Sequence, residues 1–120
     1  MIKRVRNITF AVSNLKDTIH FYESVLGLKK TAGWSNYVTF DAGGFDLAFE
    51  PGGKKGTKMS HREGAPDVFM EVDDVDDVYR RLKEKGVKFV SEPKDQSWGG
   101  RTATFLDPDE NRFVLVHLKN

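Results

Sequence analysis

The sequence predicts an α+β fold built from two consecutive β-α-β-β-β units, and three observations carry that expectation. The first is an internal repeat, the pattern to seek before any single element is assigned. Asn7-Ile8-Thr9-Phe10-Ala11-Val12-Ser13-Asn14-Leu15 reads against Asp67-Val68-Phe69-Met70-Glu71-Val72-Asp73-Asp74-Val75, sixty residues later. The second is a change of period inside each copy, from strand alternation to helical spacing. The third is a glycine stop after each helical pattern, followed by three strand-like runs.

In order along the chain, Ile8, Phe10 and Val12 share one face of the first strand, as Val68, Met70 and Val72 do in its counterpart. The polar pairs Ser13-Asn14 and Asp73-Asp74 then supply helix N-caps. Asp17 and Asp77 follow where a carboxylate favours the positive end of the helix dipole. The first helix has Leu15, Ile19, Tyr22 and Leu26 as its apolar stripe; the second has Val75, Val78, Tyr79 and Leu82. Gly27 and Gly86 end them. Short extended segments at Leu28–Thr31 and Val87–Val90 come next. Two longer strands close each unit: Tyr37–Asp41 and Phe45–Glu50, then Thr102–Leu106 and Arg112–Leu118. Asp107-Pro108-Asp109-Glu110-Asn111 is a strong turn between the last two. Repeat one is expected over about 1–53, a Gly- and Lys-rich linker over about 51–66, and repeat two over about 65–120, all in one domain. One unit alone leaves a sheet face it cannot bury; two can share it.

A chain of 120 residues is long enough for one domain with a real core. Hydrophobic residues at 38% and charged residues at 31% fit a soluble globular protein. Met1-Ile2-Lys3-Arg4-Val5-Arg6 starts basic, but no continuous apolar stretch follows, so neither a signal peptide nor a membrane span is expected. Without cysteine, disulfides, thiolate nucleophiles and iron–sulfur clusters are excluded. A cytoplasmic location is expected. The net charge of +1 advertises no nucleic-acid partner. It hides an asymmetry, because residues 1–60 carry +4 and residues 61–120 carry −3.

Beyond these patterns, the chain resembles the vicinal oxygen chelate superfamily, which includes glyoxalase I, extradiol dioxygenases, methylmalonyl-CoA epimerase and the fosfomycin and bleomycin resistance proteins. The resemblance covers essentially the whole chain. It rests on Val12-Ser13-Asn14-Leu15, Phe21-Tyr22-Glu23-Ser24-Val25-Leu26-Gly27-Leu28, Val72-Asp73-Asp74-Val75, Trp98-Gly99-Gly100-Arg101 and the Asp107–Asn111 turn. It implies a curled mixed sheet around a central cup, usually completed in a homodimer, with a divalent ion in the cup of the metal-dependent members. It does not choose the chemistry, because the fold hosts isomerases, lyases, oxygenases, transferases and binding proteins.

Metal-dependent members place a histidine near the start of the first strand of each half; the matching positions here are Asn7 and Asp67. They place a glutamate in the final strand of each half; in the second half that position is Val114. In the first half Asp46, Ala48 and Glu50 share a face, and which of them matches stays open. Loss of both imidazoles removes most affinity for zinc, nickel or iron(II). The resemblance thus leads to no metal cofactor, with a degenerate Asp46, Glu50 and Asp67 site for Mg²⁺ or Mn²⁺ as the alternative. His20 reads as a solvated helix residue, His61 lies in the linker, and His117 should face away from Val114. Ser24, Ser35, Ser60 and Ser97 stand in no local catalytic motif.

Residues in phase with Asn7 and Asp67 should line a ligand pocket: Thr9, Ala11, Phe69 and Glu71, with Trp34, Tyr37, Phe49, Glu50 and Trp98 around them. Phe10, Phe40, Phe105 and Phe113 are expected in the core, and Trp34 and Trp98 in loops preceding strands. Arg101 is a candidate for a ligand's carboxylate or phosphate, or a partner for Glu71 or Asp67. Lys54, Lys55, Lys58 and Arg62 form a basic cluster that favours an anionic ligand if it covers the cup. Three readings follow. The first is a protein binding a small organic molecule without metal. The second is a metal-dependent lyase, isomerase or dioxygenase with a degenerate site. The third is a structural or interaction module with a filled cup.

Overall fold

The computed structural model describes residues 1–54 and 67–119. Two compact units divide the chain, Met1–Thr57 and Lys58–Asn120. The first contains β1 (Asn7–Val12), α1 (Leu15–Ile19), a π-helical continuation (His20–Val25), β2 (Lys30–Trp34), β3 (Tyr37–Asp41) and β4 (Asp46–Pro51). The second contains β5 (Val68–Glu71), α2 (Val75–Glu84), β6 (Lys88–Asp95), β7 (Gly100–Leu106) and β8 (Arg112–Leu118). Each is β-α-β-β-β, as the repeat predicts.

The sheets have the same topology, β1-β4-β3-β2 and β5-β8-β7-β6. The first strand of each unit runs parallel to the last, and the other pairs are antiparallel. The helix supplies the crossover that a parallel pair requires. Asn14 and Asp74, both extended, cap these helices: their side-chain oxygens accept from Asp17 N at 3.2 Å and Asp77 N at 3.1 Å.

The first helix departs from the expected stripe. Leu26 N donates to the Phe21 carbonyl at 2.9 Å, five residues back. That wider turn shifts side chains out of α-helical phase. Thr18, Phe21 and Tyr22 are buried instead of Leu15, Ile19 and Leu26. The Thr18 hydroxyl donates to the Asn14 carbonyl at 3.1 Å, so its burial leaves no polar group unmet. Fully buried Tyr22 stacks on Phe49 at 4.4 Å and lies 6.0 Å from Phe40. In the second unit Phe89 sits between Tyr79 at 4.6 Å and Phe105 at 5.7 Å. Phe40, Phe105 and Phe113 are fully buried, whereas Phe10 is only half-buried against Phe49. Burying each such ring stabilises the fold by about 2 kcal/mol.

Strand limits also move. β2 runs through Trp34, which therefore ends a strand and does not precede one in a loop. β6 continues to Asp95 because Pro93 falls within an irregular stretch of an edge strand, where a missing N–H costs no ladder bond. β7 begins at Gly100 and β4 ends at Pro51, inside the expected linker.

The two β-turns opposite the helix-bearing ends differ. Between β3 and β4, Ala42 N donates to the Phe45 carbonyl at 2.9 Å, while Gly43 and Gly44 take φ of 84° and 130°. Between β7 and β8, Asp107 Oδ1 accepts from Asp109 N at 2.9 Å and Asn111 N at 2.8 Å. Its Oδ2 accepts from Asn111 Nδ2 at 2.9 Å. Among the described residues no helix is long and apolar enough to cross a membrane.

Candidate functional site

Strand alternation gives each sheet one face against its helix and one helix-free face. In the first unit Asn7, Thr9 and Ala11 point to the helix-free side. Their register partners are Asp46, Ala48 and Glu50, and Thr39 pairs with Ala48 on the next strand. Asn7 Nδ2 donates to Thr9 Oγ1 at 2.8 Å, and the Tyr37 hydroxyl lies 3.5 Å from Thr9 Oγ1. The small Ala48 leaves room for that diagonal reach. Trp34, 65% exposed, lies against Tyr37 with ring centroids 5.8 Å apart. An amide, a hydroxyl, a phenol and an open indole edge thus form one line. Asn7, Thr9, Trp34 and Tyr37 come together on this face; exposed Glu50 shares it beside Ala11.

In the second unit the corresponding face carries Asp67, Phe69 and Glu71. Phe69 is in register with Val114 and Glu71 with Val116, and Thr104 and Thr102 follow on β7. Phe69 and Trp98, both about half exposed, have centroids 6.3 Å apart. Trp98 lies over Gly100, where a Cβ would sit 2.3 Å from the indole. A side chain there would have to push the exposed indole aside.

Arg101 corrects an expectation. It neighbours Thr102, whose row contains Val116 and Glu71, so it points to the opposite face. It pairs with neither Glu71 nor Asp67. Its guanidinium donates to Asp76 through Nε at 2.7 Å and Nη2 at 3.0 Å, and to Asp95 through Nη1 at 3.2 Å. Those bonds from Arg101 hold the Asp76 carboxyl below the ordinary carboxylate range. Lys119 first, then Arg101, does the same to Asp95, and the two carboxylates raise Arg101 in return. The cation beside Asp67 is Arg112, with Nε 3.6 Å from Asp67 Oδ1. The sequence reading missed Arg112, although its phase with Val114 on β8 was the available signal.

The register also decides which first-half residue matches Val114. Thr9 pairs with Ala48 as Phe69 pairs with Val114. The four metal positions implied by the resemblance are therefore Asn7, Ala48, Asp67 and Val114. Two are buried hydrocarbons without a donor atom, and Asn7 spends its amide N–H on Thr9. This donor set does not fit a zinc, nickel or iron ion. Among the described residues no three His, Asp or Glu side chains are grouped to hold a metal. His20 is exposed, and His117 uses Nδ1–H on the Val72 carbonyl at 3.2 Å. His61, Lys55, Lys58 and Arg62 lie outside the described residues; Lys54 is exposed.

Comparison with known proteins adds the lineage. Residues 4–115 match the family model for the Glyoxalase/Bleomycin resistance protein/Dioxygenase superfamily. The chain is 31% identical to the uncharacterized protein YraH of Bacillus subtilis strain 168, over 96% of this chain and 98% of that one. Among solved structures it is similar to a Glyoxalase/bleomycin resistance protein/dioxygenase superfamily member from Sphaerobacter thermophilus. That match has 27% identity and a TM-score of 0.74 over 96% of this chain and 97% of the other. The fosfomycin resistance protein FosX of Mesorhizobium loti shares the fold at 23% identity, with a TM-score of 0.75 over 99% and 95% of the two chains.

Proposed function

This chain belongs to the Glyoxalase/Bleomycin resistance protein/Dioxygenase superfamily, and on that premise we propose that it binds a small organic molecule without a divalent metal. The Asn7–Thr9–Tyr37 line beside the open Trp34 ring carries this reading. Aromatic walls with a few placed polar groups are what an organic ligand uses. Phe69 and Trp98 are the ligand-facing aromatics of the second unit, with Asp67 as its flanking carboxylate, and Glu50 is the flanking carboxylate of the first. Ala48 and Val114 support the metal-free part, since neither can coordinate an ion. A homodimer, as the resemblance implies, belongs to the same proposal, and sedimentation at twice the chain mass is its expected result.

Tryptophan emission titrated with a panel of small aromatic acids and alcohols, in buffer containing EDTA, tests the binding function. A compound of the right class changes emission, and Tyr37→Phe with Thr9→Val weakens that response. A response appearing only after Mg²⁺ or Mn²⁺ is added contradicts the proposal.

A further inference from the structure

A cleft of about 450 Å³ opens at the β3–β4 turn of the first unit, outside the Thr9–Tyr37–Trp34 cluster. Arg4, Arg6, Thr31, Asp41, Phe45 and Asp46 line it. Its volume is within the range of small-molecule sites.

Three local features build it. Asp46 N donates to the Arg6 carbonyl at 3.0 Å, which fixes the arginine-bearing segment one residue beyond β1. A register shift between Lys30 and Ala32 turns the intervening Thr31 toward the sheet face. There its Oγ1 lies 2.7 Å from Thr39 Oγ1 and donates to Asp46 Oδ2 at 3.4 Å. Gly43 N binds Asp41 Oδ1 at 2.9 Å, orienting that carboxylate. The glycine turn carries no side chain to cover the opening.

The charges in this cleft are balanced but unpaired. Among the described residues neither Arg4 nor Arg6 makes an ion pair within 4.0 Å, with Asp41, Asp46 or any other carboxylate. The second unit shows the closed version of the same corner. Its turn is filled by the Asp107–Asn111 hydrogen bonds, and Asp67 and Arg112, at the positions of Asn7 and Asp46, pair with each other. The first copy instead holds two guanidinium groups and two carboxylates apart, around a space of ligand size.

We propose that this cleft binds a zwitterionic α-amino acid, its carboxylate taken by Arg4 and Arg6 and its ammonium by Asp41 and Asp46. Guanidinium matches carboxylate in a planar, charge-assisted pair, and an ammonium donates to the carboxylate oxygens and the Thr31 hydroxyl. The half-buried Phe45 ring offers an apolar contact for the amino acid's side chain. A simple anion would leave both aspartates uncompensated, and a metal cation would leave both arginines so.

Calorimetry on the full chain in EDTA, with L-phenylalanine, 3-phenylpropanoate and 2-phenylethylamine as probes, tests this assignment. L-phenylalanine is expected to bind once per chain, and each analogue, lacking one charge, on the order of tenfold more weakly. The exposed double variant Arg4→Gln/Arg6→Gln is expected to lose L-phenylalanine binding with its melting temperature unchanged, and Asp41→Asn/Asp46→Asn to do likewise. Trp34→Ala is expected to leave it intact, which separates this cleft from the Thr9–Tyr37–Trp34 site. Equal affinity for 3-phenylpropanoate in the Trp34→Ala chain, or no heat up to about 10 mM L-phenylalanine, overturns the proposal.

Discussion

Two residues in the second unit show how much a single position can hold. Asp107 is buried and its carboxylate accepts three hydrogen bonds from Asp109 and Asn111, closing the β7–β8 turn. Asp107→Ala leaves those donors unmet and is expected to cost about 3 kcal/mol in urea unfolding. Gly100 acts by absence. A methyl at Gly100 would meet the Trp98 ring, so Gly100→Ala is expected to displace the indole. A shifted emission maximum in a Trp34→Phe background reports it; an unchanged spectrum contradicts the stacking. At this scale the sequence was informative about residue type and poor about partners. Thr9 was legible from its strand phase with Asn7, whereas Tyr37 and Trp34 were picked out as aromatics near the strands, Trp34 in the wrong setting. Arg101 was misread because charge alone does not reveal that Asp76, from the first turn of α2, lies on its side of the sheet.

The elements were legible where period and punctuation agree. The glycine stops, the Asn14 and Asp74 caps and the strand alternation all reappear in the structure. The π-helical continuation was not legible, because its hydrogen-bond slip is set by packing Phe21 and Tyr22 under the sheet. Tyr22→Ala is expected to destabilise by about 4 kcal/mol, an aromatic truncation at a fully buried site. Ala at Leu15, outside the buried set, should cost far less. At the other helix, Arg101 ties α2 to β6 through Asp76 and Asp95. Both carboxyls titrate lower in the folded chain than in the unfolded one. Their contribution is thus present above the unfolded value and is lost as pH falls through the folded value. Thermal melting from pH 7 to pH 2 is expected to show wild type more stable than Arg101→Ala at neutral pH. That gap should shrink below about pH 4. A gap that does not shrink as the pH falls contradicts the ion-pair account.

For the whole molecule, the repeat predicted the architecture because it is written in local patterns, twice. The expectation that both copies form one domain predicts a single unfolding transition. Trp34 and Trp98 lie in different units, so Trp34→Phe and Trp98→Phe each leave one reporter. Coincident urea midpoints are expected; separated midpoints mean two independent domains. What the sequence could not decide was the first-half partner of Val114, because Asp46, Ala48 and Glu50 share a face. Only the pairing of β1 with β4 selects Ala48. That selection underlies the metal-free proposal, and metal content tests it most directly. The untagged protein, incubated with Zn²⁺, Ni²⁺, Mn²⁺ and Mg²⁺ and then gel-filtered, is expected to carry far less than one equivalent of any of them. A stoichiometric ion that disappears in Asp67→Ala would contradict it.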